Sequence, residues 1–496
     1  MRNRGVGSWT ARRARMSPER VAIEYQEGTW TYRGLHERAT RLAHALAGLG
    51  VRHGDRVAYL GPNHPAFLEA LFATGQLGAV FVPLNWRLTA TELSYILADS
   101  GAKVLVHALA VDGLPVRAAV AVGAGYEAML AGAAADPIDE PVDPDETCLI
   151  LYTSGTTGRP KGAMLTHANV TWNSVNLLLD VDLAGDEVTL VAAPMFHVAA
   201  LGQTVLPTLL KGGRLILVSA FDPGEALRLI ARHRVTYLFG VPTMFLAMSR
   251  DPGWAAADLS SVRSAICGGA PVPEAVIIPY HERGVTFMQG YGLTEAAPGV
   301  LFLRRDDSVR KAGSAGTAAF FTDVRLVRPD GTDAEAGEPG EILAHGPNVM
   351  AGYWRRPADT AAAVEDGWLR TGDIGVADVE GYITIRDRTK DLIISGGENV
   401  YPAEVEDALY QHPGVAECAV IGVPDEHWGE VGRAVVVLRD GVGVAPDELI
   451  EFLAGRIAKY KIPKSVVFTD ALPRTASGKV MKRDLRARFG TDQGGS

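Results

Sequence analysis

The sequence predicts an α/β protein: a large N-terminal domain of mostly parallel sheets flanked by helices, a β-barrel-like region, and a small α+β C-terminal domain. Three observations predict it. Short apolar runs alternate with helical segments over the first three hundred residues, the pattern of a parallel sheet with crossover helices. After Lys311 the chain becomes turn-rich, with Pro329-Asp-Gly331, Gly337-Glu-Pro-Gly340 and Glu380-Gly381 between short runs. Near Asp391 helices and strands return in a shorter, mixed order.

The elements follow in order. Leu35, Ala39, Leu42, Leu46 and Leu49 recur at helical spacing, and Gly50 supplies a stop. The runs 56–60, 103–107, 148–152, 214–218, 236–239 and 262–266 read as strands. Pro223 to His233 is helix-like. The stretch from about 312 to 388 reads as antiparallel β. Beyond it, Pro402 opens a helix through Tyr410, with Pro at a first-turn position. Runs 415–421, 433–438 and 465–468 are strands, and Asp447 to Lys459 is expected to be helical. The expected division is residues 1–389 and 390–496. No solenoid repeat is visible.

Composition narrows the function. The chain has 496 residues, and 48 Lys and Arg against 58 Asp and Glu leave a net charge of −10. That acidic balance speaks against a general nucleic-acid binder. A 47% hydrophobic content is enough for a large core. Cys148, Cys267 and Cys418 are widely spaced in apolar runs, so they are expected to be small buried hydrophobes in a reducing cytoplasm. Arg2, Arg4, Arg12, Arg13 and Arg15 precede no apolar segment of signal-peptide type. The uncharged stretch from Val188 to Leu210 contains Pro194, His197, Gln203 and Pro207, which fit a strand, a loop and a buried helix better than a membrane span. A homodimer, and a peripheral membrane contact through the basic N-terminus, are compatible with the sequence but not required by it.

The first segment that carries chemistry is Leu151-Tyr-Thr-Ser-Gly-Thr-Thr-Gly-Arg-Pro-Lys-Gly162. It follows a buried strand. Gly155 and Gly158 let backbone N–H groups approach a phosphate, Thr153, Ser154, Thr156 and Thr157 offer hydroxyls, and Lys161 adds a point charge. The spacing between Gly158 and Lys161 is not that of a Walker A loop. No HExxH, GxSxG or EF-hand pattern occurs.

This segment resembles the phosphate loop of the adenylate-forming superfamily, which includes acyl-CoA synthetases, adenylation domains and firefly-type luciferases. Further segments resemble that family's motifs in the same order. They are Pro194-Met-Phe-His197, Gly268-Gly-Ala-Pro271, Gln289-Gly-Tyr-Gly-Leu-Thr-Glu295, Trp368-Leu-Arg-Thr-Gly-Asp373, the hinge-like Arg386 to Pro402, and Pro473-Arg-Thr-Ala-Ser-Gly-Lys479. The matches span nearly the whole chain.

The resemblance implies an ATP-dependent acid–thiol ligase. Gly269, Ala270, Pro271, Gln289, Gly290, Tyr291 and Gly292 would join the phosphate loop around ATP. Tyr291, an aromatic between glycines, suits stacking on a nucleobase. Thr294 and Glu295 would serve the phosphates, with Glu295 the Mg²⁺ ligand because that ion favours one or two carboxylates plus nucleotide phosphates. Asp373 would accept the ribose hydroxyls, supported by Arg388. Lys479 would be the catalytic lysine of a mobile C-terminal domain, and Lys390 its hinge. Ser395, Gly396 and Gly397, with Tyr460, Lys461 and Lys464, would line the path of coenzyme A. Where the family often carries an arginine this chain has Ile462, which weakens the coenzyme A assignment.

For the acyl group the resemblance points to His197, Gly240, Val241, Gly290, Gly292 and Ala296, with His197 in a positional role. Small residues there leave volume, and no basic residue awaits a second carboxylate. The expected acid is therefore a medium- or long-chain fatty acid. The alternatives are an aryl or cinnamate-type acid, or a ligase that loads a carrier protein. The expected partners are the acid, ATP, Mg²⁺ and coenzyme A.

Overall fold

The computed structural model describes residues 2–110, 113–153, 159–270, 272, 274–388, 391–395, 398–425, 427–475 and 479–490. The chain divides into two compact units, Met1–Val324 with Ala344–Arg370, and Arg325–Leu343 with Thr371–Ser496.

The first unit is built on two sheets. In one, Ser264–Gly268 lies between Phe287–Gly292 and Tyr237–Gly240, and Val188–Val191, Arg214–Leu217 and Val21–Tyr25 continue the parallel order. Antiparallel strands close both ends of this nine-stranded sheet. In the other, Thr147–Thr153, Val80–Leu84, Arg56–Leu60, Val104–His107 and Ala118–Ala121 are parallel neighbours. Lys161–Thr166 adds antiparallel to Thr147–Thr153, and Gly352–Tyr353 adds to it in turn. Helices cover the sheets, as the alternation of runs predicts.

The local reasons are legible. Leu35, Ala39, Leu42 and Leu46 are fully buried on the helix Tyr32–Gly48, whose Thr31 hydroxyl accepts the Gly34 N–H at 3.1 Å. The helix Pro223–His233 starts where expected. Asp222 accepts the Glu225 N–H at 2.7 Å, and Pro223 sets the first turn. The Val188 to Leu210 stretch resolves into a strand, a loop and a buried helical run, as expected. No helix among the described residues is long and apolar enough to cross a membrane. The three cysteines are buried and free, and burial raises all three thiol pKa values.

The second unit contains two small sheets. Most residues of one come from Pro339–His345, Trp368–Ala377 and Ile383–Arg388, the last two antiparallel. The other holds Glu398–Val400, Ile393–Ser395, Gly429–Leu438, Val415–Asp425 and Ser465–Phe468, packed against the helix Pro402–Tyr410. One local expectation is corrected. The helix expected over Asp447 to Lys459 runs only Pro446–Leu453. Ala454 leaves the helical region and Gly455 takes a φ of +77°, which ends the helix early.

Candidate active site

In the first unit, the candidate residues gather at the carboxyl ends of the parallel strands. Open α/β sheets bind ligands there, because the connecting loops converge and backbone N–H groups face outward. Thr153 ends one strand, Gly240 and Gly268 end two others, and Gly292 ends Phe287–Gly292.

Glu295 is where three segments meet. Tyr353 Oη donates to Glu295 Oε1 at 2.8 Å, and Thr153 Oγ1 reaches the same oxygen at 3.5 Å. Lys161 pairs with Asp359 and sits 5.4 Å from the Tyr353 ring centre. Burial, then the Glu295 carboxylate, pushes the Tyr353 phenol well above its ordinary pKa, so it stays a donor. Two strand pairings assemble this group. Thr153 lies opposite Lys161, and Tyr353 lies opposite Ala163 on the same strand. Tyr353 and Asp359 were not singled out from the sequence.

The loop carrying Thr294, Glu295 and Ala296 is held from below. The buried Asn348 amide donates to the Ala296 and Gly299 carbonyls at 3.1 and 2.8 Å, and Met350 N–H donates to the Glu295 carbonyl at 2.9 Å. Gly292 is required here, since a Cβ would lie 1.7 Å from the Pro298 carbonyl oxygen. Gly269 takes a φ of +84°, next to Ala270. Gln289 is buried, and among the described residues its Nε2 has no hydrogen-bond partner. Gly290 pairs with Gly268 in register, and Tyr291 is half-buried.

Among the residues expected to face the acyl group, His197 is half-buried with its ring 4.5 Å from that of Phe196. Val241 precedes the helix Pro242–Arg250. Ala296 is fully buried. Tyr237, Phe239, Ile266, Met288 and Phe302 pack together with Ala193 and Ala200.

In the second unit, Asp373 is buried and lies opposite Arg388 across two antiparallel strands. Its N–H donates to Thr371 Oγ1 at 3.1 Å, and Thr371 Oγ1 donates to the Ile342 carbonyl at 2.7 Å. Thr475 N–H donates to the Lys479 carbonyl at 2.7 Å, and Lys479 N–H donates to Thr475 Oγ1 at 3.1 Å. Ser395 is buried at a strand end opposite Gly429. Tyr460 is exposed, as is Lys464, while Lys461 is held by both oxygens of Glu404 at 2.6 and 2.8 Å. Ser154, Gly155, Thr156, Thr157, Gly158, Pro271, Lys390, Gly396 and Gly397 lie outside the described residues.

The sequence profile of the AMP-binding enzyme matches residues 10–354, and that of the AMP-binding enzyme C-terminal domain matches residues 404–479. The chain belongs to the AMP-binding enzyme family. The feruloyl-CoA synthase of an Amycolatopsis species is 58% identical over 494 residues, covering 99% of this chain and 100% of that one. A long-chain-fatty-acid–CoA ligase of Mycobacterium tuberculosis is 41% identical over 500 residues, covering 98% and 99%. The o-succinylbenzoate coenzyme A synthetase of Bacillus subtilis, solved with ATP and magnesium ion, superposes with a TM-score of 0.88 at 35% identity, covering 97% of this chain and 99% of that one.

This AMP-binding enzyme is an ATP-dependent, AMP-forming acid–thiol ligase that uses Mg²⁺ and coenzyme A. The residues present fit that ion. Glu295 is one carboxylate among hydroxyl oxygens, an all-oxygen donor set. Among the described residues no cluster of three or more His, Cys, Asp or Glu forms a cage.

Proposed function

We propose that this ligase activates an aromatic carboxylic acid of the phenylpropenoate type and transfers it to coenzyme A. The observation that carries this reading is the 58% identity, along 99% of the chain, with a feruloyl-CoA synthase, against 41% with a long-chain-fatty-acid–CoA ligase. The fatty-acid expectation from pocket volume gives way to it here.

The chemistry has two steps. A carboxylate is a poor acyl donor because oxide would have to leave. Its oxygen therefore attacks the ATP α-phosphorus, the bond to pyrophosphate breaks, and an acyl-adenylate forms. The coenzyme A thiolate then attacks the acyl carbon and AMP leaves. The protein's task is positioning and charge neutralisation. Mg²⁺ supplies neutralisation of phosphate charge when bound, and Glu295 would hold it. Thr153, Lys161 and the 154–158 loop would bind phosphate oxygens. Tyr291 would stack on the adenine, with Gly269, Ala270, Pro271, Gln289 and Gly290 around it. Asp373 and Arg388 would hold the ribose, and Lys479 would neutralise the reacting carboxylate. His197 would stand beside that carboxylate.

Pyrophosphate departure and thiol entry conflict in one place, so the reading includes rotation of the C-terminal region about Lys390. Ser395, Gly396 and Gly397 would then face the pantetheine, while Tyr460 and Lys464 offer an exposed ring and charge to the nucleotide end. Lys461, already paired with Glu404, would contribute less. Measuring pyrophosphate release across a ladder of cinnamates, benzoates and C6–C18 fatty acids tests the reading. The highest kcat/KM should fall on a cinnamate, and a maximum on a fatty acid would replace it.

A further inference from the structure

One buried polar side chain beside the acyl region has no role in the account above. Gln203 is 6% exposed. It sits in Leu201–Val205, a π-helical turn inserted between the helices Val198–Ala200 and Leu206–Lys211. Such insertions recur at functional sites because they re-aim a side chain out of the regular helical face. The backbone there is fixed. At Gly202 a Cβ would lie 2.6 Å from Pro298 Cδ and 2.9 Å from the Ala297 carbonyl oxygen. Tyr237 Oη donates to the Gln203 carbonyl at 2.8 Å. Ala199 and Ala200, one turn earlier on the same face, pack into the cluster of Tyr237, Phe239 and Phe302.

Among the described residues, Gln203 Oε1 finds no hydrogen-bond partner. A buried amide left in that state destabilises the fold unless a ligand completes it. The ligand group that suits it is neutral, because a carboxylate or ammonium buried there would need an opposite charge. A phenolic hydroxyl both donates and accepts, so it pairs with either end of the amide. The depth also fits. Tyr237 stands at the start of Tyr237–Gly240. At strand rise that is about 10 Å from the Gly240 end, a span that suits a phenylpropenoate with its carboxylate at the strand end and its ring hydroxyl at the level of Tyr237.

We propose that Gln203 is a specificity residue that reads a ring hydroxyl of the acid, so that the preferred substrate is a hydroxylated phenylpropenoate rather than a plain aromatic or alkyl acid. The proposal rests on the aromatic-acid reading above.

The test compares kcat/KM for 4-hydroxycinnamate and cinnamate in the full-length enzyme with ATP, Mg²⁺ and coenzyme A. The wild type should favour the hydroxylated acid at least about tenfold. Gln203→Met, similar in size but without the amide, should bring the ratio near one through loss on the hydroxylated acid. Cinnamate turnover should hold within about twofold, which also reports an intact fold. In case that variant fails to fold, the wild type alone answers with 4-methylcinnamate, which should behave like cinnamate. An unchanged ratio in Gln203→Met, or a wild type that turns over the 4-methyl and 4-hydroxy acids equally, overturns the proposal while leaving an aromatic-acid ligase. If fatty acids release pyrophosphate and no cinnamate does, the aromatic reading itself falls and takes this proposal with it.

Discussion

Tyr353 Oη donates to Glu295 Oε1 at 2.8 Å, so one oxygen of the carboxylate proposed to hold Mg²⁺ is fixed before any nucleotide arrives. Burial and the neighbouring carboxylate keep that phenol protonated across the working pH range. A carboxylate oriented in advance needs less rearrangement when the phosphates bind.

Tyr353→Phe removes the donor and keeps the ring. A hydrogen bond to a charged group is worth about 1.5–3 kcal/mol, so the adenylation rate should fall by roughly tenfold or more, with a higher Mg²⁺ concentration at half-maximal rate. Titrating Mg²⁺ in a pyrophosphate-release assay checks this. An unchanged Mg²⁺ dependence would show that Tyr353 only fills space.

Lys479→Ala should separate the two half-reactions. Losing one charge-stabilising group typically costs ~10²–10³ in rate. That loss should fall on adenylation, whereas thioester formation from supplied acyl-adenylate should stay near the wild-type rate. Equal losses in both steps would mean that Lys479 supports the fold or the thiol step instead.

The pH dependence of stability should carry a histidine signature. His167 Nδ1 accepts the Val6 N–H at 3.0 Å, which requires an unprotonated nitrogen. Burial lowers its pKa to about 4 from 6.5. Its folded pKa is depressed, so the unfolded chain binds the proton more readily between pH 6.5 and 4. Stability is then complete above pH 6.5 and lost as pH falls toward 4. At pH 5 the loss amounts to about 2 kcal/mol. His167→Asn keeps an acceptor and removes the titration, so urea melts at pH 7.5 and pH 5 should differ less in the variant by about that amount. An equal difference in both proteins would place the acid sensitivity elsewhere.

The fold was legible where local chemistry and burial agree. At Asp222-Pro223 a cap, a proline and an apolar stripe mark one helix start together. The same reading ran too far at Asp447 to Lys459, because Gly455 in the left-handed region ends that helix despite continued apolar spacing. The site was legible where short glycine-rich segments bring their own residues together. It was not legible at Tyr353 and Asp359. Tyr353 is brought to Glu295 through sheet pairing, and Asp359, on the helix Pro357–Ala363 that follows, lies 198 positions from Lys161. Gln203 was hidden for a related reason. Within an uncharged run it read as an interruption, and its significance depends on burial that the sequence does not display.

The most direct test of the central claim is acid-dependent exchange of labelled pyrophosphate into ATP, measured with Mg²⁺ and without coenzyme A. Exchange should appear on addition of a hydroxycinnamate and vanish in Lys479→Ala. Its absence with every aromatic and aliphatic acid tried, in an enzyme that still binds ATP, would contradict the acyl-adenylate account.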